Sequence, residues 1–112
     1  MAKAIKWTPR SLRTYVSIVR HLDEHWTQRE VDQFDSEVDA VLELIAMFPR
    51  IYRRGEGSGI REAFIKPCNL LIYRVGKDQA ELLTFWDARR DPRAKPRFSK
   101  HTRTRRGLGS GS

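Results

Sequence analysis

The chain has 112 residues and a net charge of +8, with 39% hydrophobic and 32% charged residues. This length supports one domain, and the composition is typical of a globular protein rather than a disordered chain. A single cysteine, Cys68, excludes a disulfide framework within the chain and fits a reducing compartment. No apolar stretch predicts a membrane span or the core of a signal peptide, so we expect a cytoplasmic protein that does not contact a membrane.

The positive charge is concentrated at the C-terminal end. Nine of the 22 basic residues but only one of the 14 acidic residues lie in 89–112, which leaves 13 of each sign before residue 89. A neutral domain with a cationic extension attracts nucleic acids or acidic protein segments. We expect a domain over residues 1–93, a basic tail over 94–106 that either binds such a partner or is merely solvated, and a linker or tag remnant over 107–112.

The N-terminal half predicts a strand followed by two helices. Residues 4–7 form a short strand, and Thr8-Pro9 is typical of a helix start. A capping box from Thr27 to Glu30 begins a second, longer helix, which Pro49 ends. The short connection between the helices predicts an antiparallel hairpin. The apolar stripes of its two helices are Leu12, Tyr15, Val16, Val19 and Leu22, and Val31, Phe34, Val38, Val41, Leu42, Ile45 and Phe48.

The C-terminal half predicts three strands. Residues 50–59 contain three glycines and predict a loop. Strands follow over 60–66, 70–75 and 80–86, and the short turns between them predict an antiparallel meander. The order β-α-α-β-β-β indicates an α+β domain in which the helical hairpin packs on one face of an antiparallel sheet. The other face stays partly open, and it is expected to be lined by Arg61, Arg74 and the residues after Trp86.

Two positions in the predicted sheet invite a specific expectation. Arg74 lies on a central strand, where a buried arginine needs a partner, so we expect an ion pair with Glu62 or Asp87. Phe85 and Trp86 alternate along the last strand. One of these rings therefore packs against the helices, and the other faces the open side, where it can stack on a partner.

Metal binding and thiol chemistry find little support in the sequence. His21 and His25 are one helical turn apart, a spacing that zinc ligands use, but no third ligand is evident. Cys68 would need a base and an electropositive pocket to act as a nucleophile, and the sequence indicates neither. We therefore expect no metal, no cofactor and a structural thiol.

Five short motifs follow one another along the chain. The first helix ends in LDEHW at 22–26, the second ends in FP at 48–49, and GIRE at 59–62 opens the meander. The strand LIYRV at 71–75 is followed about ten residues later by FWDARRDP at 85–92. In this order and spacing the motifs resemble the RelE/ParE superfamily of bacterial toxins, over roughly residues 4–93.

The resemblance implies the toxic half of a type II toxin–antitoxin pair. In this superfamily the C-terminal segment of a cognate antitoxin wraps the toxin, and the complex binds its own promoter DNA. An acidic segment that folds on binding would suit an apolar groove beside the hairpin and a cationic sheet face. The residues expected to contact the target or the antitoxin are Arg61, Arg74, Trp86, Arg89, Arg90 and Arg93.

The superfamily has two functional branches. ParE-like members poison DNA gyrase and need no catalytic residues, whereas RelE-like members are ribosome-dependent endoribonucleases that cut mRNA. Cleavage by a 2′-hydroxyl requires a base, an acid and cations on the scissile phosphate. Arg61 and Arg90 match basic positions of the nuclease branch, and the tail offers His101. However, Ala63 and Leu70 stand where further cations are expected.

The helices resemble the ParE-like branch more closely. The resemblance lies in the His25-Trp26 end of the first helix, the spacing from there to Phe34, and the stop at Pro49. We therefore expect a ParE-like toxin acting on DNA gyrase, with a RelE-like mRNA endoribonuclease as the alternative, so the sequence leaves open whether the chain is an enzyme. An inactive or regulatory member, or a different basic nucleic-acid-binding α+β domain, is a further alternative.

Overall fold

Two helices pack on one face of a five-stranded sheet in the computed structural model, which describes residues 2–98. The predicted α+β class, with a helical hairpin over one sheet face, is confirmed. None of the helices in this part of the chain is long and apolar enough to cross a membrane. In chain order the elements are β1 (Ala4–Trp7), α1 (Pro9–His25), α2 (Gln28–Met47), β2 (Arg53–Arg54), β3 (Ile60–Ile65), β4 (Asn69–Val75) and β5 (Gln79–Asp87).

Both helices begin where their capping residues predicted. Thr8 caps α1, because its hydroxyl accepts from the Ser11 N–H at 3.1 Å while the Ser11 hydroxyl accepts from the Thr8 N–H at 2.9 Å. Thr27 and Glu30 form the predicted capping box of α2. These reciprocal bonds satisfy N–H groups that have no partner within the first turn of a helix.

The sheet has the strand order β1-β5-β4-β3-β2 and differs from the prediction in two respects. First, β1 pairs in parallel with β5, so the sheet is mixed rather than antiparallel. After β1 the chain passes through the hairpin and the meander, and it returns along β5 in the same direction as β1. Second, β2 lies inside the predicted loop and pairs with β3. β2 consists of two arginines, which show no alternation of apolar and polar residues, so the sequence pattern could not reveal this strand. The predicted antiparallel meander of β3, β4 and β5 is confirmed.

The main core lies between the hairpin and the helix-facing side of the sheet. From the sheet it receives mainly Ala63, Ile65, Leu71, Tyr73, Ala80, Leu82 and Phe85, and from α2 it receives Phe34, Val38, Val41 and Ile45. Val31, the remaining buried residue of the predicted stripe, lies outside this cluster. Leu42 is only partly buried beside the cluster.

The predicted stripe of α1 is only partly correct. Tyr15, Val19 and Leu22 pack against the core, but Leu12 and Val16 are 52% and 42% exposed. Helical periodicity places all five on one side of a helix, yet α1 lies at the edge of the sheet and buries only a narrow strip of its surface. The predicted α2 residue Phe48 is also exposed, because it is the C-cap, beyond the end of the helix.

The position of α1 at the sheet edge is fixed by two hydroxyl groups. β1 pairs with β5 only as far as Leu82, whose carbonyl oxygen accepts from the Thr8 hydroxyl at 2.7 Å. Further along β5, the N–H of Phe85 donates to the Thr14 hydroxyl at 2.9 Å. The first turns of α1 therefore take the place of a neighbouring strand along the second half of β5.

The open face of the sheet carries a second apolar cluster, which consists of Ile60, Leu70, Ile72, Leu83 and Trp86. After β5 the chain turns through a short 3-10 helix, Pro92–Ala94, and runs back over this face as far as Phe98. We call residues 91–98 the strap. The described part of the predicted tail thus packs on the domain, whereas 99–106 and the predicted remnant at 107–112 lie outside the described residues.

Candidate functional site

The end of β5 presents two of the predicted contact residues. Asp87 accepts from the backbone N–H of Arg89 at 2.9 Å and pairs with its guanidinium at 3.0 Å. These hydrogen bonds from Arg89 lower the pKa of the Asp87 carboxyl group, which stays ionised and holds the arginine in place. The backbone is fixed as well, because the Ala88 N–H donates to the Cys68 carbonyl oxygen at 2.7 Å.

Arg90 and Trp86 form a second fixed pair. The guanidinium lies 4.6 Å from the centre of the indole ring, a cation–π contact. Trp86 is buried in the open-face cluster, whereas Phe85 packs between Trp7 and Tyr15 on the helix side. The predicted alternation of the two rings is thus correct, but Trp86 is covered by the protein's own side chains.

A cleft of about 880 Å³ lies between the hairpin and this end of the sheet. Its volume falls within the range of sites that hold a ligand or a peptide anchor. The strand side of its rim carries Lys66, Arg89 and Arg90, and the α2 side carries Glu30 and Glu37. Its apolar lining is formed mainly by Ile18, Leu22, Trp26, Phe34 and Phe85.

Cys68 lines the cleft but is not an activated nucleophile. Burial raises the pKa of its thiol, and the nearby Asp87 carboxylate raises it further. A nucleophilic cysteine requires the opposite shift. The structure therefore agrees with the structural role expected for this residue.

Arg61 lies elsewhere in the sheet. It is level with Tyr73 of β4, a residue of the main core, so its side chain belongs to the helix-facing side. Its guanidinium donates to the carbonyl oxygens of Arg50 and Tyr52 at 3.3 and 3.1 Å. Arg74 is level with Ile60 of the open-face cluster. The expectation that Arg61 and Arg74 line the same face is therefore wrong, because the strand register places their side chains on opposite faces of the sheet.

The carboxylates expected to pair with Arg74 have other cations beside them. Glu62 is 6% exposed and binds Arg53 at 2.8 Å and Lys95 at 2.6 Å. Asp87 binds Arg89. Arg74 itself is half-buried and lies level with Glu81 of β5.

The two candidate nuclease arginines are far apart. The register links Arg61 through Tyr73 to Leu82, and Asp87 lies five residues further along β5. At about 3.3 Å per residue, the backbone at the Asp87 end of β5 lies roughly 16 Å beyond the level of Arg61. The Arg61 guanidinium is bound to backbone carbonyl oxygens and its strand position faces the helices, whereas the Arg90 guanidinium lies on Trp86 of the open-face cluster. The structure therefore does not bring Arg61 and Arg90 together.

The remaining predicted residues are quickly placed. Arg93 is exposed and pairs with Asp91, the cap of the 3-10 helix, at 3.0 Å. His101, the third nuclease candidate, lies outside the described residues. The ring centres of His21 and His25 lie 4.4 Å apart with their planes tilted by 33°, and within residues 2–98 no group of three His, Cys, Asp or Glu side chains could hold a metal ion.

Sequence reasoning missed the strap and its anchor. The sequence pattern places Lys95 and Phe98 in a tail, and it indicates Glu62 only as a partner for Arg74. One signal could have revealed the strap. Phe98 is the only large apolar residue after Trp86 in the part of the chain that the structure describes, and such a residue in a cationic segment indicates a packing contact.

Two solved structures with similar folds come from toxin–antitoxin systems. The chromosomal ParDE system from P. aeruginosa matches with a TM-score of 0.61 and 13% identity, over 77% of this chain and 96% of the other. The E. coli DinJ–YafQ toxin–antitoxin complex matches with a TM-score of 0.54 and 13% identity, over 78% and 93%. At such low identity these likenesses show the fold alone. No curated protein sequence matches.

The family comparison is more specific than the fold comparison. The model of the ParE toxin of the type II toxin–antitoxin system parDE matches residues 5–92, which include both helices, the five strands except Ala4, and the Arg89–Arg90 pair. The resemblance found in the sequence motifs is thereby confirmed. The chain belongs to the ParE toxin family of type II toxin–antitoxin systems.

Proposed function

We propose that this protein is a gyrase-directed ParE-like toxin that inhibits replication in the cytoplasm and is neutralised by a cognate antitoxin. The observation that carries the proposal is that Arg61 and Arg90 are held apart, Arg61 at a helix-facing position of β3 and Arg90 on Trp86 of the open-face cluster. A nuclease would need several cations around one phosphate, and Arg61 instead supports the backbone of residues 50 and 52. A gyrase poison needs only a binding surface.

Arg89 and Arg90 are the proposed contact residues for the target. Both are exposed, and both are held in one orientation, Arg89 by Asp87 and Arg90 by Trp86. Arginines with fixed geometry lose little conformational entropy on binding, so they are effective contact residues. They lie on the rim of the cleft, where an antitoxin could cover them.

The cleft is the proposed docking site for the antitoxin. Its apolar lining suits a bulky side chain of the antitoxin, and the cations on its strand side suit acidic residues beside that side chain. An antitoxin bound there would cover Arg89 and Arg90 and so keep the toxin from its target. We also expect the complex of toxin and antitoxin to bind its own promoter DNA.

The test is inducible expression in a bacterial host without an antitoxin, followed by pulse labelling of DNA and protein synthesis. We expect early arrest of DNA synthesis and filamentous cells. The variant Arg89→Ala/Arg90→Ala should be non-toxic while it still folds. A matched control is Arg13→Ala/Arg20→Ala, which removes the same charge from exposed positions of α1 outside the cleft and should remain toxic.

Three outcomes would contradict the proposal. Early arrest of translation with cleaved mRNA would establish the RelE-like alternative. Full toxicity of the Arg89→Ala/Arg90→Ala variant would refute the assignment of the contact residues. Absence of any growth defect would indicate an inactive member of the family.

A further inference from the structure

The strap is anchored to the domain by one buried carboxylate. Glu62 of β3 receives Lys95 of the strap and Arg53 of β2 at 2.6 and 2.8 Å, so it joins two segments that are far apart in the chain. A second ion pair links Arg97 to Glu56 at 3.2 Å. A carboxylate that is shielded from water attracts its cations more strongly than an exposed one does, so Glu62 is the main electrostatic anchor.

Packing fixes the end of the strap. Phe98 packs against the open-face cluster, and the guanidinium of Arg10 lies 5.5 Å from the centre of its ring. The backbone of Phe98 passes so close to Gly57 that a Cβ atom there would collide with the Phe98 carbonyl oxygen. Gly57 also has a φ of 113°, which side chains rarely allow. The strap is therefore a built part of the fold.

The ion pairs of the strap and its anchor share an orientation with the pair at the end of β5. In three of these pairs the arginine is much more exposed than its acid: Arg53 over Glu62 (66% against 6%), Arg93 over Asp91 (90% against 50%), and Arg89 over Asp87 beside the cleft. The acids thus lie beneath guanidinium groups that point outward. Arg90, fixed on Trp86, adds another cation, and Arg97 is exposed beside Glu56.

The chemistry of this surface favours nucleic acid over a protein segment. Protein partners need apolar anchors in desolvated pockets. Phe64 of β3, level with Leu70 of the open-face cluster, is 53% exposed, but no large hydrophobic side chain of residues 87–98 is exposed. A phosphate backbone requires only cations and hydrogen-bond donors. The cleft beside Arg89, with its apolar lining, has the opposite character and suits a peptide.

We propose that the strap, the adjoining Arg53 and Arg90 on Trp86 form a preorganised binding surface for the phosphate backbone of duplex DNA. Glu62 and Gly57 are its positioning residues, because they hold the strap without contacting the DNA. This deepens the proposed function, since gyrase works on DNA and a toxin bound to the enzyme could also contact its DNA. The DNA surface is nevertheless testable on the toxin alone.

The decisive test separates preorganisation from net charge. Binding of a 20-base-pair duplex to the full-length protein is measured by fluorescence anisotropy across a series of salt concentrations. Glu62→Gln makes the protein more positive by one charge, so attraction by charge alone would strengthen binding. The proposal requires the opposite, because Lys95 and Arg53 lose the carboxylate that holds them together. We expect weakening of about threefold or more.

Controls make this comparison specific. Glu43→Gln makes the same change of charge at an exposed position of α2 and should bind DNA at least as tightly as the original chain. Gly57→Ala leaves the charge unchanged and should weaken binding as Glu62→Gln does. Arg93→Gln/Arg97→Gln should lower the slope of log K against log salt by about two, because each lost phosphate contact contributes about 0.9.

The outcomes are distinct from those of the toxicity test. Binding by Glu62→Gln that equals or exceeds binding by Glu43→Gln would overturn the proposal, provided that circular dichroism shows both variants folded. If Glu62→Gln fails to fold, Gly57→Ala decides alone, and unchanged DNA affinity in that variant would refute the role of the strap. Loss of DNA binding without loss of toxicity would leave the gyrase proposal standing.

Discussion

Thr14→Val tests whether α1 substitutes for a strand at the edge of β5. The Thr14 hydroxyl accepts from the Phe85 N–H at 2.9 Å and lies 3.0 Å from the carbonyl oxygens of Arg10 and Ser11, to one of which it can donate. Valine has the same shape and a similar helix propensity, so the substitution removes the hydroxyl and changes little else. Phe85 is 3% exposed, and its N–H would be left buried without an acceptor.

The expected cost of Thr14→Val is the free energy of one unsatisfied buried donor. That cost is about 2 kcal/mol of the free energy of unfolding, which corresponds to a fall in Tm of roughly 10 °C for a domain of this size. Urea denaturation followed by circular dichroism measures the first quantity, and a thermal scan measures the second. The matched control Thr14→Ser keeps the hydroxyl and should recover most of the loss. A Thr14→Val protein within about 0.5 kcal/mol of the original chain would refute the reasoning.

Two further predictions concern the core. Burial raises the pKa of Tyr73 to about 12, above the ordinary value of 10.0, so the folded protein holds the phenolic proton more tightly than the unfolded chain does. This contribution to the free energy of unfolding is complete below pH 10 and is lost as the pH rises towards 12. Urea denaturation at pH 9 to 11 should therefore show a steeper decline of the free energy of unfolding with pH for the original chain than for Tyr73→Phe. Ile45→Ala should lower the free energy of unfolding by about 2–5 kcal/mol, because Ile45 is fully buried. Leu12→Ala, at an exposed position, should lower it by about 0.5 kcal/mol or less. Comparable losses in the two variants would contradict the edge position of α1.

Local sequence signals determined much of this protein. The hydroxyl caps Thr8 and Thr27 set the starts of both helices and Pro49 sets the end of α2, because capping and proline chemistry act within a few residues. The stripe of α2 predicted most of its buried face, and the order and spacing of five short motifs identified the family, with the Arg89–Arg90 pair inside the last of them. In each case the deciding interactions lie within one element or one motif.

Only the tertiary structure decided how these parts combine. β3 and β4 are apolar on both faces, so no alternation in the sequence could show that Arg61 and Arg74 lie on opposite sides. The parallel pairing of β1 and the exposure of Leu12 both depend on where the hairpin lies relative to the sheet edge. The strap is held by Glu62, which precedes Lys95 by more than thirty residues. Such contacts between distant segments leave almost no local trace in the sequence, because only the folded chain brings their partners together.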